Sequence, residues 1–130
     1  MKEKIRTFRD LHIRQLSREI TNDVYRLTRK PSFRRDFRLV NQMRDSAVSI
    51  QSNIGEGFER DGNQEFRQFL SISKGSCGEL ETQLVVAMDQ LYIGEDDEAT
   101  LTAKIRRLSR MIAKLMLRLK ESGFRGRKFK

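Results

Sequence analysis

The 130-residue chain has one cysteine, one proline, one histidine and no tryptophan, and each scarcity removes a class of explanation. With Cys77 alone no disulfide can form within the chain, and neither C-x-x-C nor H-E-x-x-H metal spacing occurs. No run approaches the ~18 apolar residues of a membrane span, and the charged opening MKEKIRTF lacks the apolar stretch of a secretory signal. A cytoplasmic protein without membrane contact is therefore expected. Catalysis has little to work with. His12 lies among charged neighbours, Cys77 is in line with Leu70, Leu80 and Leu84 as a small core residue, and Ser76 has no base that spacing identifies. Paired carboxylates for nuclease chemistry can be drawn from spacing alone, but nothing singles them out, and we expect no enzyme, no cofactor and no metal. The run Glu95-Asp96-Asp97-Glu98 lacks the alternating ligands and glycine of a calcium loop; it reads as negative charge at the positive end of a helix dipole.

What the chain does have is helical periodicity. Leu101, Ile105, Leu108, Ile112, Leu115 and Leu119 step by four and three residues in an a/d seam. Similar stripes run through Phe8, Leu11, Leu16, Ile20, Val24 and Leu27, through Phe37, Val40, Met43, Ala47, Ile50 and Ile54, and through Phe66, Phe69, Leu70, Cys77, Leu80, Leu84, Met88 and Leu91. The breakers fall between them: Pro31 with Ser32 as the next cap, Asp61-Gly62 with Asn63 as cap, and Gly94 as a left-handed helix end. The spacing predicts an all-α, antiparallel up-down four-helix bundle in a single domain over residues 1–122, with helices near 8–29, 33–58, 63–93 and 97–121 and a basic flexible tail at 123–130.

The stretch QSNIGEGFER tests whether a G-x-G marks a phosphate loop. No strand precedes it and helical spacing continues through Ile54, so Gly55 and Gly57 read as glycines that let helix three come close near residues 63–65. Glu56 is placed to pair with Arg60 four residues on, or to bond near Asn63 and Gln64. Helix three also carries small residues at Ser71, Ser73, Gly75, Ser76 and Gly78. A turn centred near residue 60 would set Ser71 opposite Ser49 and Gly75 opposite Asp45 and Ser46, and would bring Arg44 within reach of Glu79 or Glu81.

Charge is the strongest functional signal. The net charge is +9, with 14 Lys/Arg against 8 Asp/Glu in residues 1–60, 2 against 9 in 61–98 and 11 against 1 in 99–130. Arg34, Arg35 and Arg38 cluster at the expected start of helix two, where the dipole disfavours cations. Lys104, Arg107, Arg110, Lys114, Arg118 and Lys120 flank the seam of helix four, and Arg125, Arg127 and Lys128 continue into the tail. These residues read either as a solvated face that keeps the bundle soluble or as a surface that holds the phosphates of RNA or DNA. Few exposed aromatics are expected for base stacking.

The sequence resembles the small four-helix bundle proteins first noticed as products encoded in intervening sequences of bacterial 23S ribosomal RNA. The resemblance rests on Asp10-Leu11, Ile13, Val24-Tyr25 and Leu27-Thr28, on Gln42, Arg44 and AVSIQSNIGEG from Ala47 to Gly57, and on EFRQFLSISKGSCGELETQL from Glu65 to Leu84. Within that pattern Gln42, Arg44, Ser49, Asn53, Gly55, Glu56, Gly57, Gly75, Ser76 and Glu79 form the structural motif. It covers residues 8–93 and stops before helix four. Arg14 stands where a tryptophan is often found, Asp45 replaces a second arginine and Gly55 an alanine. The resemblance implies a ring-like homopentamer without established activity. A related branch, the accessory variability proteins of diversity-generating retroelements, implies RNA and a reverse transcriptase as partners. The leading expectation is thus a non-enzymatic RNA-binding accessory protein; the alternative is a protein scaffold that makes no nucleic-acid contact itself.

Overall fold

The computed structural model describes residues 8–128, with side chains for residues 9–122. Four helices, α1 (Phe8–Thr28), α2 (Phe37–Phe58), α3 (Asn63–Asp89) and α4 (Glu95–Lys128), make up the fold, with no strand among the described residues. Each helix packs on its neighbour in chain order, α4 closes the ring against α1, and the backbones of the diagonal pairs stay farther apart. That is the antiparallel up-down bundle the periodicity predicts.

The seam of α4 is the clearest agreement, since Leu101, Ile105, Leu108, Ile112, Leu115 and Leu119 are all buried. Ile13, Leu16, Ile20, Val24 and Leu27 face them from α1, with Ile13 rather than Leu11 fully inside.

The α1–α2 connection differs from expectation. α2 begins at Phe37, and its N-cap is Asp36, whose carboxylate accepts from the Leu39 N–H at 3.1 Å. Ser32, the expected cap, instead donates to the Tyr92 carbonyl at 3.3 Å. The ring of Phe33 explains the delay. It is fully buried and stacks on Tyr92 with centroids 4.9 Å apart, so the chain makes a wide turn before α2 starts. Phe37, expected in the apolar stripe, is consequently 74% exposed.

The end of α3 is also different. The helix stops at Asp89, and Leu91 rather than Gly94 takes the left-handed conformation, with φ 65°. The Tyr92 N–H reaches the Ala87 carbonyl at 2.9 Å and the Leu91 N–H reaches Met88 at 2.9 Å, the paired bonds of a Schellman end. Leu91 points outward instead of joining the core. At the start of α3, Gly62 holds the cap position, and Asn63 instead donates to the Leu119 carbonyl at 3.3 Å, tying α3 to α4. α4 runs past Gly123 to Lys128, so its backbone includes residues 123–128 of the expected tail; residues 129 and 130 lie outside those described.

The α2–α3 pair is the most extensive contact in the bundle. Its register is set a few residues away from the expected one. Ser73 donates to the Ile50 carbonyl at 2.9 Å and Ser49 meets Ser76 at 2.9 Å, so Ser71 does not face Ser49 and Gly75 is left exposed. Gly57 fits the close-approach reading: a Cβ there would lie 2.7 Å from Phe66 Cδ1 and 3.4 Å from Phe69 Cβ. Gly55 and Gly75 do not, since a Cβ at either meets nothing within 4 Å.

These environments give opposite expectations. Gly57→Ala should lower the melting temperature, because overpacking against a buried ring costs ~1–3 kcal/mol. Leu91→Gly should raise it by a few degrees, because a left-handed conformation costs a side-chain-bearing residue ~1–2 kcal/mol. Thermal unfolding followed by circular dichroism checks both; a stabilised Gly57→Ala or a destabilised Leu91→Gly contradicts the geometry.

Candidate nucleic-acid interface

Because α2 starts late, Arg34 and Arg35 sit in the turn before the helix and Arg38 alone lies in its first turn. The unfavourable dipole position assigned to all three therefore applies only to Arg38. All three are exposed and make no ion pair with a described residue. The nearest acid in sequence, Asp36, is occupied by the Leu39 N–H and by the Tyr92 hydroxyl, which donates to it at 3.0 Å. That bond to a carboxylate is the main cause of the raised Tyr92 pKa, followed by desolvation. Phe37, between Arg35 and Arg38 in the sequence, is 74% exposed, an aromatic available for stacking where few were expected. The acidic first turn of α4 lies at the same end of the bundle. Its Asp97 is bound by Lys30 at 2.9 Å, and its Glu98 accepts from Thr102 at 2.9 Å.

The cations of α4 divide by partner. Lys104 binds Asp23 at 2.8 Å and Glu19 at 3.0 Å, and the bond to Asp23 is the chief reason its pKa is raised. Arg118 pairs at 3.2 Å with Asp10, a carboxylate only 4% exposed. Arg106 reaches Glu81 at 3.0 Å. Lys104 and Arg118 thus hold α4 to α1, and neither is free for a phosphate. Arg107, Arg110, Lys114 and Lys120 remain exposed and unpaired among the described residues. The side chains of Arg125, Arg127 and Lys128 lie outside the described residues. At ~1.5 Å of rise per residue, Lys120 is roughly 40 Å along α4 from the end where Arg34, Arg35 and Arg38 cluster. The expected binding residues therefore form two separate groups.

Half of the motif residues, Arg44, Ser49, Asn53, Gly57 and Ser76, build the α1–α2–α3 packing. Asn53 Nδ2 donates to the Ser49 carbonyl at 2.8 Å and to Ser49 Oγ at 3.1 Å, extending the Ser49–Ser76 contact into a polar seam. Arg44 does not reach Glu79 or Glu81. Its Nε donates to Thr28 Oγ1 at 2.9 Å and its guanidinium lies 4.4 Å over the Tyr25 ring, which turns it towards α1. Glu56 pairs with Arg60. Gln42, Gly75 and Glu79 lie exposed on the outer faces of α2 and α3.

His12 is exposed beside a shallow groove with Gln15, Glu19 and Arg107. The Cys77 thiol is buried, and desolvation, reinforced by Glu81, pushes its pKa up to about 12. Among the described residues no group of three His, Cys, Asp or Glu could hold a metal ion, and no helix is long and apolar enough to cross a membrane. The sequence reading missed Arg14 and Arg18, which line a groove between α1 and α2. Only their four-residue spacing on one helix hinted at a shared face.

Residues 9–114 match the family of 23S rRNA-intervening sequence proteins. The chain belongs to that family. The match reaches well into α4, beyond the span on which the motif resemblance rests. Among solved structures, a protein of unknown function from the S23 ribosomal protein family of Bacteroides thetaiotaomicron superposes with a TM-score of 0.77 at 18% identity. The alignment covers 83% of this chain and 97% of that one, a likeness of fold. Comparison with curated proteins finds no match. For this family member, the division of cations predicts that Arg118→Ala destabilises the bundle by ~1–3 kcal/mol, because it removes a charged partner from a buried carboxylate. Lys114→Ala should stay within ~0.5 kcal/mol. Urea unfolding at pH 7 distinguishes them, and equal effects would refute the assignment. The folded protein should likewise resist thiol reagents at Cys77 near pH 8, whereas the unfolded chain reacts. Because the folded-state pKa is the higher one, the thiol's contribution to stability is complete below about pH 9 and is lost as pH rises towards 12.

Proposed function

We propose that this protein is a non-enzymatic, RNA-binding accessory protein that acts as a homo-oligomer in the cytoplasm. The observation that carries this reading is the group Arg34, Arg35 and Arg38. Three exposed arginines without an ion-pair partner among the described residues lie within four positions of an exposed aromatic, Phe37, on a chain of net charge +9. Guanidiniums hold phosphates, and an aromatic face accepts an unpaired base without reading its identity. The unpaired Arg107, Arg110, Lys114 and Lys120 supply a second phosphate-binding strip. Membership of a family named for 23S ribosomal RNA intervening sequences agrees with RNA as the polyanion, although duplex DNA offers the same phosphates.

The oligomer we propose is a ring-like homopentamer, which multiplies this field fivefold. Its function would be to support a reverse transcriptase ribonucleoprotein in a diversity-generating retroelement. Exposed Ile72, Val85 and Val86 on α3 favour a second reading, a scaffold that binds protein and leaves nucleic acid to its partner.

Titration of labelled structured RNA and of duplex DNA across a salt series decides between the two readings. Log affinity should fall steeply with log salt, and reversing Arg34, Arg35 and Arg38 to glutamate should lower RNA affinity at least ~10-fold at ~50 mM salt with unchanged helical signal. No binding at that salt rejects the RNA reading and leaves the scaffold. Light scattering tests the assembly, and a monomer would refute the ring.

A further inference from the structure

The groove between α1 and α2 has the chemistry of an anion site. It encloses about 260 Å³ and is lined by Arg14, Gln15, Arg18, Gln51, Ile54 and Gly55, with no acidic residue on its wall. Arg14 and Arg18 are one helical turn apart, so two like charges share a face, an arrangement that weakens a helix unless something neutralises it. Neither has an ion-pair partner among the described residues, in contrast to Arg26, Lys30, Arg60, Lys104, Arg106 and Arg118, which each have at least one. Arg14 is held in place from beneath, its guanidinium 5.3 Å over the Phe58 ring. The amides of Gln15 and Gln51 bond to no described residue, which leaves further donors on both walls.

Gly55 is the second sign. It lies in the body of α2, where glycine costs about 1 kcal/mol relative to alanine, yet a Cβ there would meet nothing within 4 Å. Packing within the chain does not require glycine at this position. Its effect is to keep one wall of the groove open.

We infer that this groove binds a phosphate group, with Arg14 and Arg18 presenting their forked N–H donors and Gln15 and Gln51 completing the set. The volume falls below the ~300–1,000 Å³ of pockets that enclose a drug-sized ligand, which suits a phosphate with the attached sugar projecting to solvent. The phosphate belongs either to a free phosphate ester or to the RNA backbone; the second source rests on the RNA-binding reading above.

Two variants attack the site by different routes. Arg14→Gln combined with Arg18→Gln removes the charge, while Gly55→Leu fills the groove and keeps every charge. Each is titrated with pyrophosphate and with adenosine monophosphate by calorimetry, and with labelled structured RNA by fluorescence anisotropy, on protein whose melting temperature is recorded alongside. The groove predicts that both variants lose at least ~10-fold in affinity for the same probe, and that Gly55→Leu does not melt below the parent. Loss confined to the small probes assigns a free phosphate ester, and loss confined to RNA assigns the backbone. Should Gly55→Leu melt below the parent, the open wall at Gly55 is refuted, and the double glutamine variant alone decides whether the arginines hold a phosphate. Wild-type affinity for every probe in the double glutamine variant overturns the site. So does wild-type affinity in a folded Gly55→Leu. RNA binding that survives these changes but falls on reversal of Arg34, Arg35 and Arg38 overturns the RNA backbone as the groove's ligand, and overturns the groove itself when the small probes also keep wild-type affinity. Pyrophosphate binding that both variants abolish, in a protein that binds no RNA, supports the groove and rejects the RNA reading.

Discussion

The close approach of α2 and α3 at Gly57 is the constraint from which the rest of the bundle follows. With Phe66 and Phe69 seated against a backbone that carries no side chain, only one register brings Ser73 to the Ile50 carbonyl and Ser49 to Ser76. That register turns Met43, Ala47, Ile50 and Ile54 of α2 and Leu70, Cys77, Leu80 and Leu84 of α3 towards a common core. α4 then closes on this hairpin through its Leu/Ile seam, and α1 completes the ring. The polar contacts in the α2–α3 seam are modest individually, at ~0.5–1.5 kcal/mol each, so their value lies in fixing register more than in adding stability.

Electrostatics is sorted along the same framework. Acidic residues of α1 and α3 draw in Lys104, Arg118 and Arg106 of α4, and these pairs join helices rather than decorate the surface. What remains after the pairing is informative because it is uneven. Unpartnered cations collect in the turn before α2, along the outer side of α4 and in the α1–α2 groove.

The four helices and the α4 seam were legible in the sequence because a three-and-four repeat of Leu and Ile has few other solutions. The turn residues were less so. Phe33 and Phe37 are four apart and equally apolar, and only the presence of Tyr92 across the bundle end decides which ring goes inside. Leu91 was drawn into the helical stripe by its spacing from Leu84 and Met88, but the Schellman bonds at Ala87 and Met88 had already ended the helix. Among the candidate binding residues, sequence could locate positive charge but not the carboxylates that absorb it. Those lie 81 residues from Lys104 in the case of Asp23 and 108 residues from Arg118 in the case of Asp10. Arg44 was misplaced for the same reason, since its partner Thr28 belongs to a helix that a two-helix register does not contain.

The separation of the two cationic groups along α4 sets a length scale. A duplex rising ~3.4 Å per base pair needs on the order of ten base pairs to run from Arg34, Arg35 and Arg38 to Lys120. A stem of about five base pairs would span only as far as Arg107, roughly 18 Å along α4, and about a full helical turn is needed to reach Lys120. On the RNA-binding reading proposed above, the bundle would act as a ruler, telling a long stem from a short one by how much charge it engages, without reading a single base.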